Sequence, residues 1–123
     1  MDKGIQRLEE MIRVSAFRHK VLASNIANVD TPGYKAKDVP FRDEMKNRAI
    51  EIAKTNPQHL RENRNPREAG GTVAVERSPW GDGNNVALDV ELANMTENAL
   101  LYEAGIKLLS KKFLMYKNAI KGR

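Results

Sequence analysis

Hydrophobic residues near the start of the chain recur at alternating steps of three and four. Between residues 5 and 29 this spacing predicts one amphipathic helix whose apolar stripe faces a partner helix. Two polar residues, Ser15 and His19, interrupt the stripe near its middle. The packing positions predicted for this helix are Ile5, Leu8, Ile12, Leu22 and Ile26.

The last third of the chain repeats this pattern over a greater length. From residue 88 to residue 120 the alternation is unbroken and predicts a helix about 50 Å long. Gly105 lies inside this helix, where glycine costs about 1 kcal/mol relative to alanine. Either it permits the close approach of another chain, or it is a tolerated weak point. The predicted packing positions are Leu88, Leu92, Met95, Ala99, Tyr102, Ile106, Leu109, Phe113, Tyr116 and Ile120.

The region between these two helices has a different composition. Residues 31–85 contain all five prolines of the chain, which excludes long regular elements. Within this region the pattern predicts a short helix over residues 42–54 and one short strand over residues 72–76. Residues 56–71 are polar and rich in turn formers, and we expect them to be disordered.

These elements predict a mainly α fold in one domain of 123 residues. Residues 1–30 and 86–123 form its assembly core, two long helices that pair as a coiled-coil-like hairpin or bundle. Residues 31–85 form an irregular, partly disordered middle. Apolar residues off the main stripes, such as Phe17 and Leu108, imply that each helix meets more than one neighbour. Other protein chains are the simplest source of those neighbours, and a small intramolecular bundle is the alternative.

The charge of the chain changes this picture little. The net charge is +5 and the pI is about 9.6, but basic and acidic residues are interspersed. A basic nucleic-acid-binding helical protein is one alternative, resting on Arg61, Arg64 and Arg67. A cytoplasmic coiled-coil regulator that binds one partner helix is another. There is no cysteine, no apolar run long enough to span a membrane and no apolar core of a secretory signal near the start.

The sequence offers no constellation of catalytic or metal-binding residues. His19 and His59 stand far apart, and no nucleophile with a base and an orienting group can be assembled. The loop at residues 81–85 lacks the calcium-binding pattern and is predicted to end in a helix cap at Asn85 or Asp89. We therefore expect no enzymatic activity, no metal site and no cofactor.

The segment that follows the first helix is the most informative in the chain. Pro32 and Gly33 suit the centre of a type II turn, in which glycine accepts the positive φ. Asn25, Asn28 and Asp30 can bond backbone groups freed where the helix ends. The motif formed by this segment comprises Ser24, Asn25, Ala27, Asn28, Asp30, Thr31, Pro32, Gly33, Tyr34 and Lys35.

This motif resembles the N-terminal signature of the bacterial flagellar rod and hook family. Residues 36–41, 82–91 and 95–102 are similar to the proximal rod branch of that family, as is the end of the chain from residue 108 to residue 120. The resemblance covers both ends of the chain and is weakest over residues 47–79.

The resemblance implies a structural subunit of the proximal rod, the drive shaft of the flagellar basal body. Such a subunit is exported from the cytoplasm by the flagellar type III apparatus without a cleaved signal peptide. It polymerises in the periplasm through its terminal helices, with copies of itself and other rod subunits. Its neighbours include a FliE-type adaptor and the membrane ring, and it needs neither nucleic acid nor lipid insertion.

Export substrates of this class carry a gate signal in which an apolar residue follows a phenylalanine by four positions. Phe41 and Met45 have this spacing and are the candidate signal. Residues 17–21 have the same form.

Overall fold

The computed structural model describes residues 2–53, 73–75, 79 and 81–122. Its backbone confirms the mainly α fold with long helices at both ends. The stretch predicted to be disordered, residues 56–71, lies outside the described residues. In chain order the elements are helix α1 (Lys3–Ala27), strand β1 (Lys37–Asp38), helix α2 (Phe41–Ala53), strand β2 (Val73–Ala74) and helix α3 (Leu88–Ile120).

Helix α1 is capped by side chains at both ends. The Asp2 carboxylate accepts a hydrogen bond from the backbone N–H of Gly4 at 2.7 Å, which satisfies a donor of the first turn. At the other end the Asn28 side chain donates to the carbonyl of Ser24 at 2.8 Å. These caps explain why the helix starts and stops where it does.

The middle of the chain supplies one helix and a small sheet. Helix α2 confirms the short helix predicted over residues 42–54, and it packs on α1. Arg48 of α2 forms a 2.6 Å ion pair with Glu10 of α1. Strand β1 pairs antiparallel with β2, with Lys37 opposite Ala74. The predicted strand over residues 72–76 is thus present in part, and β1 is too short for its pattern to be recognised in the sequence.

Helices α1 and α3 run antiparallel and make the largest contact between elements in the described part of the chain. Asp2, at the start of α1, reaches the last turns of α3, and Asn25 reaches the first turn of α3. In this part of the chain α2 contacts α1 but not α3. Helix α1 therefore lies between the other two helices.

The face that α3 turns toward α1 is mostly polar or small. We call its residues the inner line, and they recur at steps of seven. The first three are buried and the last is half-buried. A strict seven-residue repeat keeps one line of a helix against its partner. The inner line consists of Glu91, Asn98, Gly105 and Lys112.

Gly105 lets the two helices approach closely. A Cβ atom at this position would lie 2.9 Å from Cγ1 of Ile12, closer than two carbon atoms can pack. The sequence left open whether Gly105 permits close approach or is a tolerated weak point, and the structure supports close approach. The neighbour that approaches is α1 of the same chain.

The predicted apolar stripe of α3 is turned partly away from α1. Met95 and Leu109, on its near edge, are half-buried, whereas Leu92, Ile106 and Phe113 are exposed. The predicted hairpin is thus confirmed. However, the side of α3 that packs against α1 is the inner line and not the predicted apolar stripe. The reason is that only glycine at position 105 permits the observed distance between the helices.

We predict opposite effects of Gly105→Ala in two backgrounds. In the natural chain, crowding against Ile12 outweighs the gain in helix propensity, and the free energy of unfolding falls by on the order of 1 kcal/mol. In an Ile12→Ala background the added methyl fills space, and the same change raises the free energy of unfolding. Denaturant unfolding of the four proteins in this double-mutant cycle measures the coupling. Additive effects would contradict the contact.

Candidate assembly interface

A line of exposed apolar residues runs along α3 beside the inner line. We call this set the outer line. Its first four members each come directly after an inner-line residue, and its last member lies seven residues after the fourth. Ile120 is 86% exposed and Phe113 is 54% exposed, although both side chains are large and apolar. Within the described part of the chain, no helix or strand covers the outer line. The outer line consists of Leu92, Ala99, Ile106, Phe113 and Ile120.

Further apolar side chains of α3 are exposed away from the outer line. Met115 is 66% exposed and Leu100 is 62% exposed, and Leu108 and Leu114 are each about half exposed. Soluble monomers rarely expose so long a run of large apolar side chains, and such surfaces mark interaction sites. The exposed face of α3 is therefore the candidate interface of this protein.

The predicted packing positions of α1 lie on its covered side. Ile5 and Leu22 are buried, and Leu8, Ile12 and Ile26 are half-buried. Of the two polar residues that interrupt the predicted stripe, Ser15 is buried and His19 is exposed. The folded chain also buries Val14, Arg18 and Asn25, which the stripe did not include.

The predicted packing positions of α3 fall into two groups. The half-buried group is Met95 and Leu109. The exposed group is Leu88, Leu92, Ala99, Tyr102, Ile106, Phe113, Tyr116 and Ile120.

Asn25, the second residue of the motif, joins three segments of the chain. Its side-chain amide donates to the carbonyl of Lys37 at 2.6 Å and to the Glu91 carboxylate at 3.0 Å. Its side-chain oxygen accepts from the backbone N–H of Lys37 at 3.1 Å and from the Tyr34 hydroxyl at 3.2 Å. Asn25 is fully buried, and its bond to Glu91 is shielded from water.

Asn84 closes the exit of α1 in a similar way. Its buried amide nitrogen lies 2.8 Å, 3.0 Å and 2.8 Å from the carbonyl oxygens of Asn28, Val29 and Thr31. Its side-chain oxygen accepts from the backbone N–H of Val86 at 2.7 Å. One asparagine thus ties the end of α1 to the segment that leads into α3.

Asn85 is not the helix cap that the sequence suggested, and neither is Asp89. The cap position of α3 is Ala87, which makes no side-chain cap bond. The Asn85 side chain instead accepts from the N–H of Ala36 at 2.6 Å and donates to the carbonyl of Val75 at 3.1 Å. Asn85 bonds the strand segments because Ala36 and Val75 lie within its reach.

The turn after α1 has the predicted form. Gly33 has a φ of +75°, and the N–H of Tyr34 donates to the carbonyl of Thr31 at 3.2 Å, as a type II turn requires. The N–H of Gly33 donates in turn to the carbonyl of Asp82 at 2.9 Å. The two loops at this end of the molecule are therefore joined through their backbones.

The rest of the motif lies at the surface of this end of the hairpin. Tyr34 is half-buried, as is Asn28, and the Lys35 ammonium donates to the carbonyl of Gly83. The exposed motif residues are Ser24, Ala27, Asp30, Thr31, Pro32, Gly33 and Lys35. The motif thus has a buried part that holds the junction together and an exposed part available to other molecules.

A partly buried ion pair joins α1 to β1. The Arg18 guanidinium donates to both oxygens of Asp38, at 2.9 Å and 3.2 Å, and its side chain is only 9% exposed. The hydrogen bond to Asp38 is the main cause that raises the pKa of Arg18. Two bonds in a fixed fork orient the strand relative to the helix.

Asp2 clamps the two ends of the chain together. Its carboxylate accepts from Lys112 at 2.9 Å and from the Tyr116 hydroxyl, besides capping α1. The bond from Tyr116 is the largest of the effects that hold the pKa of Asp2 well below its ordinary value of 3.8. The same contact raises the pKa of Lys112 and of Tyr116.

The candidate export signal lies in α2. Phe41 begins this helix and Met45 lies one turn later, and both side chains are half-buried. The alternative, residues 17–21, lies in the middle of α1.

The described residues contain no group of three or more histidine and carboxylate side chains placed to hold a metal ion. Among the same residues, no helix is both long enough and apolar enough to cross a membrane.

The apolar pattern of the sequence did not indicate Asn84 or the inner line as the residues that hold the hairpin together, and it gave Asn85 a different role. One signal was available, because Glu91, Asn98, Gly105 and Lys112 recur at steps of seven. Their polarity concealed the contact, since apolar residues usually mark the packed side of a helix.

We predict that Asn84→Asp lowers the free energy of unfolding by about 2–3 kcal/mol at neutral pH, because a carboxylate cannot donate to the three carbonyls. Protonation restores one donor, so the loss shrinks in acid. Asn47→Asp, at an exposed site in the middle of α2, is the matched control and should be near neutral. Urea unfolding of both variants checks the prediction, and equal effects would contradict it.

We predict that Asp2→Asn lowers the melting temperature at neutral pH. Asparagine retains the helix cap but loses the charge that attracts Lys112. Because the pKa of Asp2 is lower in the folded chain than in the unfolded chain, ionised Asp2 stabilises the fold at any pH above its unfolded pKa. This stabilisation is lost as the pH falls toward the folded pKa. The melting temperatures of the two proteins should therefore begin to converge below about pH 4. A pH-independent difference would contradict the clamp.

Comparison with known proteins agrees with the motif at the junction. A family model described as flagella basal body rod protein matches residues 16–35. The chain is 31% identical to the flagellar basal body rod protein FlgB of Bacillus subtilis, covering 96% of this chain and 93% of that protein. It is 33% identical to FlgB of Aquifex aeolicus, covering 98% of this chain and 95% of that protein.

A third relative, FlgB of Salmonella typhimurium, is 29% identical and matches over 99% of this chain and 96% of its own length. These matches include both terminal helices and the segment between them. Since relatives above 30% identity align over nearly the whole of both chains, this chain belongs to the family of the flagellar basal body rod protein FlgB.

Proposed function

We propose that this chain is a structural subunit of the flagellar basal-body rod, joined to its neighbours through the outer line of α3. The observation that carries the proposal is the exposure of large apolar side chains from Leu88 to Ile120. At roughly 25 cal/mol per Å², covering such a surface supplies much of the free energy of assembly. The names of the relatives, all rod proteins, support the same role.

The hairpin suits a subunit that bears mechanical load. Asp2 holds Lys112 at one end of the hairpin, and Asn25 holds Glu91 at the other. With both ends tied, α1 and α3 resist sliding past each other while the outer line contacts other chains. The proposed role needs positioning and cohesion, and no catalytic step.

The finer placement of the subunit is also part of the proposal. It rests on the resemblance to the proximal rod branch, in which a subunit lies near a FliE-type adaptor and the membrane ring. Such a subunit leaves the cytoplasm through the flagellar type III apparatus without losing a signal peptide, and it functions in the periplasmic rod.

Export by this route would require α2 to separate from α1. Phe41 and Met45, the candidate gate signal, are half-buried in α2, and Arg48 ties this helix to Glu10. Opening of this contact would expose both side chains more fully to a receptor.

The two alternative functions have less support. The basic cluster of Arg61, Arg64 and Arg67 lies outside the described residues. A cytoplasmic regulator would not account for relatives that are rod proteins along almost their whole length.

The proposal is tested by complementation of a strain that lacks the gene. The natural chain should restore swimming and intact rods in imaged basal bodies. Phe113→Glu should restore less than about a tenth of the swimming, because a carboxylate placed in a packed interface costs several kcal/mol.

Asn118→Glu is the matched control, since it adds the same charge to α3 at an exposed polar site. It should complement like the natural chain, with immunoblots showing equal amounts of all three proteins. Motile cells with intact rods in the strain without the gene would overturn the proposed function.

A further inference from the structure

The outer line of α3 is symmetrical about its own centre. Ile106 lies in the middle, Leu92 and Ala99 precede it by fourteen and seven residues, and Phe113 and Ile120 follow it by the same intervals. A symmetrical line can pair with itself when two copies lie antiparallel. We propose that unassembled copies of this chain form a two-fold antiparallel pair through the outer line, with Ile106 on the axis.

The sizes of the side chains favour the antiparallel arrangement. It places Phe113 of one copy over Ala99 of the other, so that the largest side chain meets the smallest. A parallel pair in register would place Phe113 against Phe113 and Ala99 against Ala99, which crowds one layer and leaves a gap in the next. Both defects destabilise a packed interface.

The charges beside the outer line favour the same arrangement. Asp89 and Glu103 each lie three residues before an outer-line residue, and Lys107 and Lys121 each lie one residue after one, which puts all four on one flank of the helix. All four are exposed, as is Lys117, a fifth charge on this flank that meets the uncharged Ala93 of the other copy in an antiparallel pair. In an antiparallel pair, equivalent flanks meet, so Asp89 approaches Lys121 and Glu103 approaches Lys107 of the other copy.

A parallel pair would leave these four charges unmatched. In that arrangement the charged flank meets the opposite flank of the other copy, where the residues of α3 three places after the outer line are uncharged. Glu103 already lies 2.6 Å from Lys107 of its own helix, so antiparallel pairing joins two such ion pairs into a network of four charges. Charge complementarity of this kind fixes direction and register more than it adds affinity. The uncharged flank carries Met95, Tyr102, Leu109 and Tyr116.

Such a pair is closed, because a two-fold contact uses the same surface on both copies and cannot extend into a filament. It would also cover the surface that we propose for contacts within the rod. Paired subunits are thus kept soluble and out of assembly until the pair opens. The inference concerns the free protein and does not depend on the proposed function.

Disulfide cross-linking of the full chain tests the geometry, since the natural sequence has no cysteine. Ile106→Cys should give a covalent dimer on mild oxidation, because the two sulfur atoms meet at the axis. Leu92→Cys and Ile120→Cys, each alone, should stay uncrosslinked, because each cysteine lies about 42 Å from its equivalent in the other copy. The variant with both changes should cross-link.

Two outcomes of the cross-linking would overturn the pair. Cross-linking of Leu92→Cys alone would indicate a parallel contact. Failure of Ile106→Cys to cross-link would show that position 106 is not at the axis. Sedimentation of the natural chain should show a dimer, and a monomer at all concentrations, or an open series of larger species, would also overturn the proposal.

A charge swap tests the flank independently. Asp89→Lys and Lys121→Asp should each raise the dimer dissociation constant about tenfold, because each change creates two repulsive contacts. The double variant should return to within about threefold of the natural chain. Positions 89 and 121 are about 48 Å apart along one helix, so only a contact between copies can link them.

Circular dichroism should show the same helix content in all the charge variants, which keeps folding defects apart from weakened pairing. A double variant that pairs no better than the single ones would overturn the antiparallel pair. These measurements use purified protein, so their outcome is independent of the complementation test of the rod function.

Discussion

The close approach of α1 to α3 at Gly105 determines how the other side chains of α3 are used. Ile12 occupies the space where any other residue at position 105 would place a Cβ atom. The helices therefore meet along Gly105 and its heptad neighbours, which are polar. Because one line of the helix is committed to this contact, the next line, which is apolar, faces outward. A single packing constraint thus produces both the hairpin and its exposed surface.

A polar contact line makes the hairpin depend on hydrogen bonds. Asn98 donates to the carbonyl of Ser15 at 2.7 Å in the middle of the helix pair, and Asn25 meets Glu91 at one end. Asparagine suits position 25 because its side chain both donates and accepts, so one residue satisfies the C=O and the N–H of Lys37. Asn84 and Asn85 do the same for the loops. The buried asparagines fix the register of the two helices, which apolar contacts alone would leave free to slide.

The exposed face of α3 can be covered in two ways that differ in symmetry. A contact between unlike surfaces repeats from subunit to subunit and builds a helical rod, whereas a two-fold contact closes after two copies. We propose the outer line for both contacts, so the two would compete. On the proposed export route, the apolar surface has to be covered between synthesis and assembly. A weak closed pair meets that need, since neighbours with more buried area can displace it.

Periodicity alone determined the two long helices, because a stripe that keeps the helical period over many turns is incompatible with strand or loop. Local backbone preferences determined α2 and the turn at Pro32 and Gly33. The motif after α1 identified the family before the fold was known. The sequence therefore indicated the three helices and the class of protein.

Tertiary structure decided which faces meet. The role of Gly105 depended on Ile12, which is ninety-three positions away, and no local pattern records that distance. Asn85 bonds Ala36 and Val75 instead of capping α3, because the chain brings those segments within its reach. Strand β1 exists only because β2 lies beside it. Local propensity acts within a few residues, whereas the choice between equivalent faces of a helix depends on contacts between distant parts of the chain.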